Sequence, residues 1–196
     1  MATPLKVCEV AFGALGGLFE ADDVEAAHRV NSAVAEPGGS FFPLPEENDF
    51  QKAFAQHEGS KIAVAVNSCG TALDLCMMVL DIKPGDEVIT TPQTFVCTAT
   101  CASARGAKIV FADIDQATMC LDPGAVEAKI TSNTKAIIPV HFAGCAADVD
   151  GFDAITEKSG IPVVYDAAHA VGTRFNGQRI GGRGKASCYS FQSNKN

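Results

Sequence analysis

From about residue 60, short apolar runs rich in β-branched residues alternate with longer segments whose apolar positions recur at helical spacing. The runs are KIAVAV (61–66), DEVITT (86–91), AKIVFAD (107–113), KAIIPV (135–140) and IPVVYD (161–166), with a further strand expected at 185–190. Continuous apolar strands of this kind are buried on both faces, as in a parallel sheet covered by crossover helices. Between them the pattern predicts helices in GTALDLCMMVLDI, in TFVCTATCASARGA, in LDPGAVEAKI and in DVDGFDAITEKSG. Asp122 is placed as an N-cap with Pro123 at the first helical position, and Gly160 as a helix stop. Strand, helix, strand repeated in this way specifies an α/β fold, a three-layer sandwich around a mostly parallel sheet.

The first 60 residues follow another pattern. An amphipathic helix is expected around 22–34 and a second around 46–58, separated by the Gly/Pro stretch EPGGSFFPLP. They read as an N-terminal arm, 1–60, packed on one sheet domain, 61–196. No internal repeat or low-complexity segment interrupts that domain.

With 196 residues and 47% hydrophobic content, the chain can build a substantial core. Net charge is −8 without a Lys/Arg cluster, so the electrostatic footprint of a nucleic-acid binder is missing. No apolar stretch approaches the roughly 18–20 residues of a membrane span, and a cytoplasmic location is expected. Eight cysteines are scattered without metal-ligand spacing, which reads as buried free thiols in a reducing compartment and gives no metal site.

In open α/β sheets ligands bind beyond the carboxyl ends of the strands. After KIAVAV comes NSCGTAL, where Ser68, Gly70 and Thr71 at a strand-to-helix turn offer hydroxyls, N–H groups and a helix dipole to an anion. An ordinary turn would look the same. After DEVITT, PQTFVCT puts Phe95 on the same rim, where it is either core or a stacking plate. Asp166 ends the run IPVVYD; a buried carboxylate there either caps a helix or meets a cation. His169, three residues on, returns to the Asp166 side of a short helix. Ser190 and Lys195 follow the last strand, and the lysine's neighbours are small polar groups instead of a charged face.

A lysine nucleophile, a carboxylate, a phosphate cradle and an aromatic plate are the parts that a pyridoxal phosphate enzyme uses. The segments NSCGTALDL, KPGDEVITTPQTFVCTA, GAKIVFADID, TKAIIPVHFAG, VYDAAHAVGTRFNGQRIGGRG and YSFQSNKN resemble, in order and spacing over about residues 20–196, the DegT/DnrJ/EryC1/StrS family of sugar aminotransferases. The resemblance implies a fold-type-I, aspartate aminotransferase-like large domain binding pyridoxal 5'-phosphate, and a homodimer. It implies that Lys195 is the Schiff-base lysine and proton carrier, Asp166 the partner of the pyridine nitrogen, and His169 a contact near the ring's phenolic oxygen. Gly70, Thr71 and Ser190 match the phosphate-binding set and Phe95 the stacked aromatic. The implied reaction moves an amino group from glutamate or glutamine to a keto group on a nucleotide-linked sugar or cyclitol.

Two other readings stay open. A sugar dehydratase of the same family carries histidine in place of the lysine, so Lys195 weighs against it; a non-catalytic regulatory relative would have no need of that lysine. A nicotinamide enzyme is disfavoured because the glycine-rich GALGGL at 13–18 precedes the sheet. Full members are about twice this length and continue past the lysine through a GEGG-type segment into a small C-terminal domain. The chain is therefore expected to be an N-terminal portion with an incomplete large domain, no small domain, and apolar surface left exposed.

Overall fold

The structure, a computed structural model, describes residues 21–35 and 45–195. In chain order its elements are α1 (Ala21–Ala35), α2 (Pro45–Glu58), α3 (Cys69–Val79), β1 (Glu87–Thr90), α4 (Cys97–Ser103), β2 (Lys108–Phe111), α5 (Pro123–Glu127), β3 (Thr134–Ile138), α6 (Val149–Ser159), β4 (Val164–Asp166), β5 (Arg174–Phe175), β6 (Gln178–Arg179) and β7 (Ala186–Cys188). The glycine-rich 13–18 stretch and most of the loop at 36–45 lie outside the described residues.

Side-chain alternation along the strands produces the layers. Val88 of β1 and Ala136 and Ile138 of β3 point into one core, with Leu73 and Met77 of α3 and Cys101 of α4. Ile89 and Ile137, one residue out of phase, point into the opposite core, with Phe152 and Ile155 of α6 and Tyr165 of β4. The strand order is β2-β1-β3, extended by parallel bridges Ile137 to Val163 and Val140 to Asp166 into β4 and then β7. Every pairing in this sheet is parallel. A mostly parallel sheet between two helical layers is thus the observed fold.

The helix boundaries follow local chemistry. Asp122 accepts the Ala125 N–H at the start of α5, with Pro123 in the first turn, and Asp148 accepts the Gly151 N–H at the start of α6. Gly160 ends α6 at φ 74°, a left-handed conformation that glycine adopts without steric cost.

The run KIAVAV forms no strand. Residues 61–66 lie in no ladder, and Ile62 and Val64 are 77% and 70% exposed. A cleft of about 1350 Å³ separates them from residues 184–192. A strand exists only through the hydrogen bonds of a neighbour, and among the described residues none lies alongside this segment. The exposed apolar surface expected from the sequence is found here and on Leu75, Met78 and Val79 of α3.

Two features absent from the sequence reading shape this end of the sheet. Asn176 and Gly177, both at positive φ, turn β5 into β6. The Arg183 guanidinium bridges Asp150 at 2.7 Å and Asp153 at 2.6 Å, tying the glycine-rich 180–184 segment to α6. That segment packs on the end of α2: a Cβ on Gly182 would sit 2.5 Å from the Gly59 carbonyl oxygen. The buried Glu58 carboxylate accepts from the Tyr189 hydroxyl at 2.9 Å and the Gly172 N–H at 2.9 Å. The second helix of the expected arm, α2, therefore packs on the sheet domain.

Candidate active site

Asp166 ends β4 in the middle of the sheet and is only 3% exposed. It caps no helix. The following residues form turns, with the Ala168 N–H donating to Asp166 Oδ1 at 3.1 Å and the Ala170 N–H to the Ala167 carbonyl at 2.9 Å. An aspartate that binds the N–H two residues on makes a turn of its own, which competes with helix formation. The short helix expected around His169 is absent for that reason. Asp166 Oδ2 accepts from the Thr98 hydroxyl at 2.6 Å, and the Cys69 thiol lies 3.9 Å from Oδ1. All three partners are neutral; no ion pair to Asp166 is present among the described residues.

Lys195 Nζ lies 2.9 Å from His169 Nε2. The Ala143 N–H donates to the other ring nitrogen, Nδ1, at 3.3 Å. Ala143 holds that N–H in place at φ 49°, a conformation uncommon for a residue with a Cβ. Burial first, and the Lys195 charge second, hold the His169 pKa below the ordinary histidine value, partly opposed by Asp166. With Nδ1 accepting, a neutral ring carries its proton on Nε2. That edge of the ring faces Lys195 Nζ.

The turn before α3 is a capped helix start. Ser68 Oγ caps the helix by accepting the Thr71 N–H at 3.1 Å and lies 3.0 Å from Thr71 Oγ1. The first N–H groups of a helix have no acceptor within it. A Cβ at Gly70 would meet Cys97 Cβ at 3.5 Å, an ordinary contact, and the glycine has no positive φ. The local fold therefore does not demand glycine at 70.

Phe95 is 71% exposed, which excludes the core reading and leaves its ring at the rim. Ser190 Oγ accepts the Gln192 N–H at 3.3 Å, and the Gln192 carbonyl accepts the Lys195 N–H at 2.8 Å, so a turn delivers the lysine after β7. Asp166, His169 and Lys195 converge. The 1350 Å³ cleft includes Ser68 and Ser190 but not Asp166, His169, Lys195, Thr71 or Phe95, and so lies beside this cluster. Thr98 and Ala143 escaped the sequence reading; each touches a site residue far away in sequence.

The cysteines are free thiols throughout the described chain, as expected, but Cys145 is exposed and Cys76 and Cys97 are half-buried. No described helix is long and apolar enough to cross a membrane.

Comparison with known proteins places this geometry. The sequence profile of the DegT/DnrJ/EryC1/StrS aminotransferase family matches residues 22–196. The spore coat polysaccharide biosynthesis protein SpsC of Bacillus subtilis (strain 168) is 47% identical over 152 residues, which cover 78% of this chain and 39% of SpsC. The X-ray structure of the aminotransferase from Psychrobacter cryohalolentis superimposes with a TM-score of 0.86 at 34% identity, over 94% of this chain and 46% of that one. The PLP-form of the putative sugar aminotransferase Spr1654 from Streptococcus pneumoniae gives a TM-score of 0.81 at 29% identity, over 87% and 47%. The chain thus spans less than half the length of these relatives.

Proposed function

This chain belongs to the DegT/DnrJ/EryC1/StrS aminotransferase family, and from that premise we propose that its site binds pyridoxal 5'-phosphate and serves amino transfer from glutamate or glutamine to a keto group of a nucleotide-linked sugar or cyclitol. The observation that carries the reading is Asp166: a buried carboxylate whose partners, Thr98, Ala168 and Cys69, are all neutral. A carboxylate so placed needs a cation, and a protonated pyridine nitrogen supplies one. The PLP-form of the Streptococcus pneumoniae relative supports the same cofactor.

When bound, the cofactor supplies an aldehyde carbon for amines and a ring that takes up electrons from the substrate carbon. The chain's own residues do the rest. Asp166 would accept the ring N–H and favour its protonated form. Lys195 would hold the cofactor through its amine. His169, with Nε2 2.9 Å from Nζ, would orient that amine and lie within reach of a proton moving at it. The Ser68, Thr71 and Ser190 hydroxyls, with the N–H groups at Gly70, would bind the phosphate at the head of α3. Phe95 offers its exposed face to the ring. The family's dimer fits the exposure of Phe95 and of the outer face of α3, and cytoplasmic residence fits a soluble sugar nucleotide substrate.

The test is a single half-reaction. Protein loaded with pyridoxal phosphate and mixed with glutamate or glutamine should convert the cofactor to its amine form, read by the loss of visible absorbance and by mass. A loaded protein that never forms the amine with either donor contradicts the proposed activity.

A further inference from the structure

We propose that Thr98 is a positioning residue for Asp166, and that Thr94 acts through it, joining the Phe95 loop and the carboxylate into one hydrogen-bonded unit; this rests on the cofactor reading above. Thr98 Oγ1 has three neighbours: Asp166 Oδ2 at 2.6 Å, Thr94 Oγ1 at 2.7 Å and the Phe95 carbonyl oxygen at 3.0 Å. A hydroxyl has one proton to give. An ionised Asp166 only accepts, and the Phe95 carbonyl already receives the Thr98 N–H at 3.2 Å. The Thr98 proton therefore goes to Asp166, and the Thr94 hydroxyl donates to Thr98.

The direction of the chain, Thr94 to Thr98 to Asp166, has two consequences. Each donor polarises the next, strengthening the final bond to the charged oxygen. With Ala168 holding Oδ1 and Thr98 holding Oδ2, the carboxylate plane is fixed before a ring arrives. The Phe95 carbonyl accepts the Thr98 N–H, so the backbone that carries the proposed ring plate and the carboxylate proposed for the ring nitrogen are both tied to Thr98. Thr98 is buried, in the first turn of α4, and solvent does not compete for it.

The experiment compares wild type with Thr98→Val, which keeps the branched shape and removes the hydroxyl, with Thr98→Ser, which restores it, and with Thr94→Val. Measured are cofactor affinity by titration, the pH dependence of the visible band, kcat against KM, and denaturant stability without cofactor. Thr98→Val is expected to weaken cofactor binding about tenfold or more and to shift the pH response of the band, the range of a hydrogen bond to a charged group. Thr98→Ser should recover both, and Thr94→Val should show a smaller change of the same sign. A Thr98→Val protein whose stability falls while affinity, band and pH response stay as in wild type overturns the proposal. Should Thr98→Val not fold, an unchanged Thr94→Val overturns it equally. A wild type that shows no band at all contradicts the cofactor reading itself, a result separable from either.

Discussion

The amine of Lys195 lies 2.9 Å from Nε2 of His169, and the Ala143 N–H occupies the ring's other nitrogen. The arrangement leaves one tautomer for a neutral ring and points its proton at the lysine.

Replacing His169 by Phe keeps a ring at the site and removes both bonds. The kcat should then fall about 10- to 100-fold, the range of a charged hydrogen bond. His169→Gln, which can both accept and donate, should recover part of the loss. Single-turnover kinetics of the three proteins, followed by visible absorbance, checks this.

Asp166→Asn separates stability from function. The amide keeps the shape and removes a buried charge that has only neutral partners. Amino transfer should drop by about a thousandfold or more, as expected when about 4 kcal/mol of transition-state stabilisation is lost. Stability without cofactor should hold or rise, since an unpaired buried charge opposes folding. Urea unfolding beside single-turnover kinetics measures both.

His141 predicts the acid limit of the fold. It is fully buried, stacks on Tyr165 at 4.8 Å between ring centroids, and accepts the Ala147 N–H on Nδ1 at 2.9 Å. Burial lowers its pKa to about 4. Below the ordinary histidine value of about 6.5 the unfolded chain takes up a proton that the folded chain refuses, so stability falls with pH until about 4. The contribution is on the order of 3 kcal/mol. His141→Asn, which keeps an acceptor for Ala147, should flatten this slope between pH 6.5 and pH 4 in denaturation curves.

Tyr189→Phe tests the clasp between α2 and the strand that leads to Ser190. It removes one donor from the buried Glu58 carboxylate, which keeps Gly172 and His57. A cost of about 1–3 kcal/mol is expected, the penalty of leaving a buried polar group short of a partner. Denaturant midpoints measure it.

Much of this was readable in the sequence because the signals are local. Asp122 with Pro123, and Gly160, set helix ends through bonds a few residues long. β1 and the end of β3 were readable because both faces are covered and apolar residues dominate there, whereas β2, at the edge of the sheet, has exposed ends and is not the doubly buried strand expected. KIAVAV has the same composition, yet strand formation depends on a neighbour that composition does not reveal. Asn176-Gly177 is an equally local signal, a hairpin dipeptide between β5 and β6. Asp166 was placed correctly at a strand end, but its turn with Ala168 replaced the expected helix. Thr98 and Ala143 were out of reach: they meet Asp166 and His169 across 68 and 26 residues, and nothing in their own surroundings marks them.

In the proposed function Lys195 and Asp166 hold pyridoxal phosphate between them. Its most direct test is the visible spectrum of purified protein with the cofactor, followed by borohydride reduction and mass mapping of the modified lysine. A visible band and a reduced adduct on Lys195 are expected, with the band weakened in Asp166→Asn. No band, or an adduct on a different lysine, would contradict it.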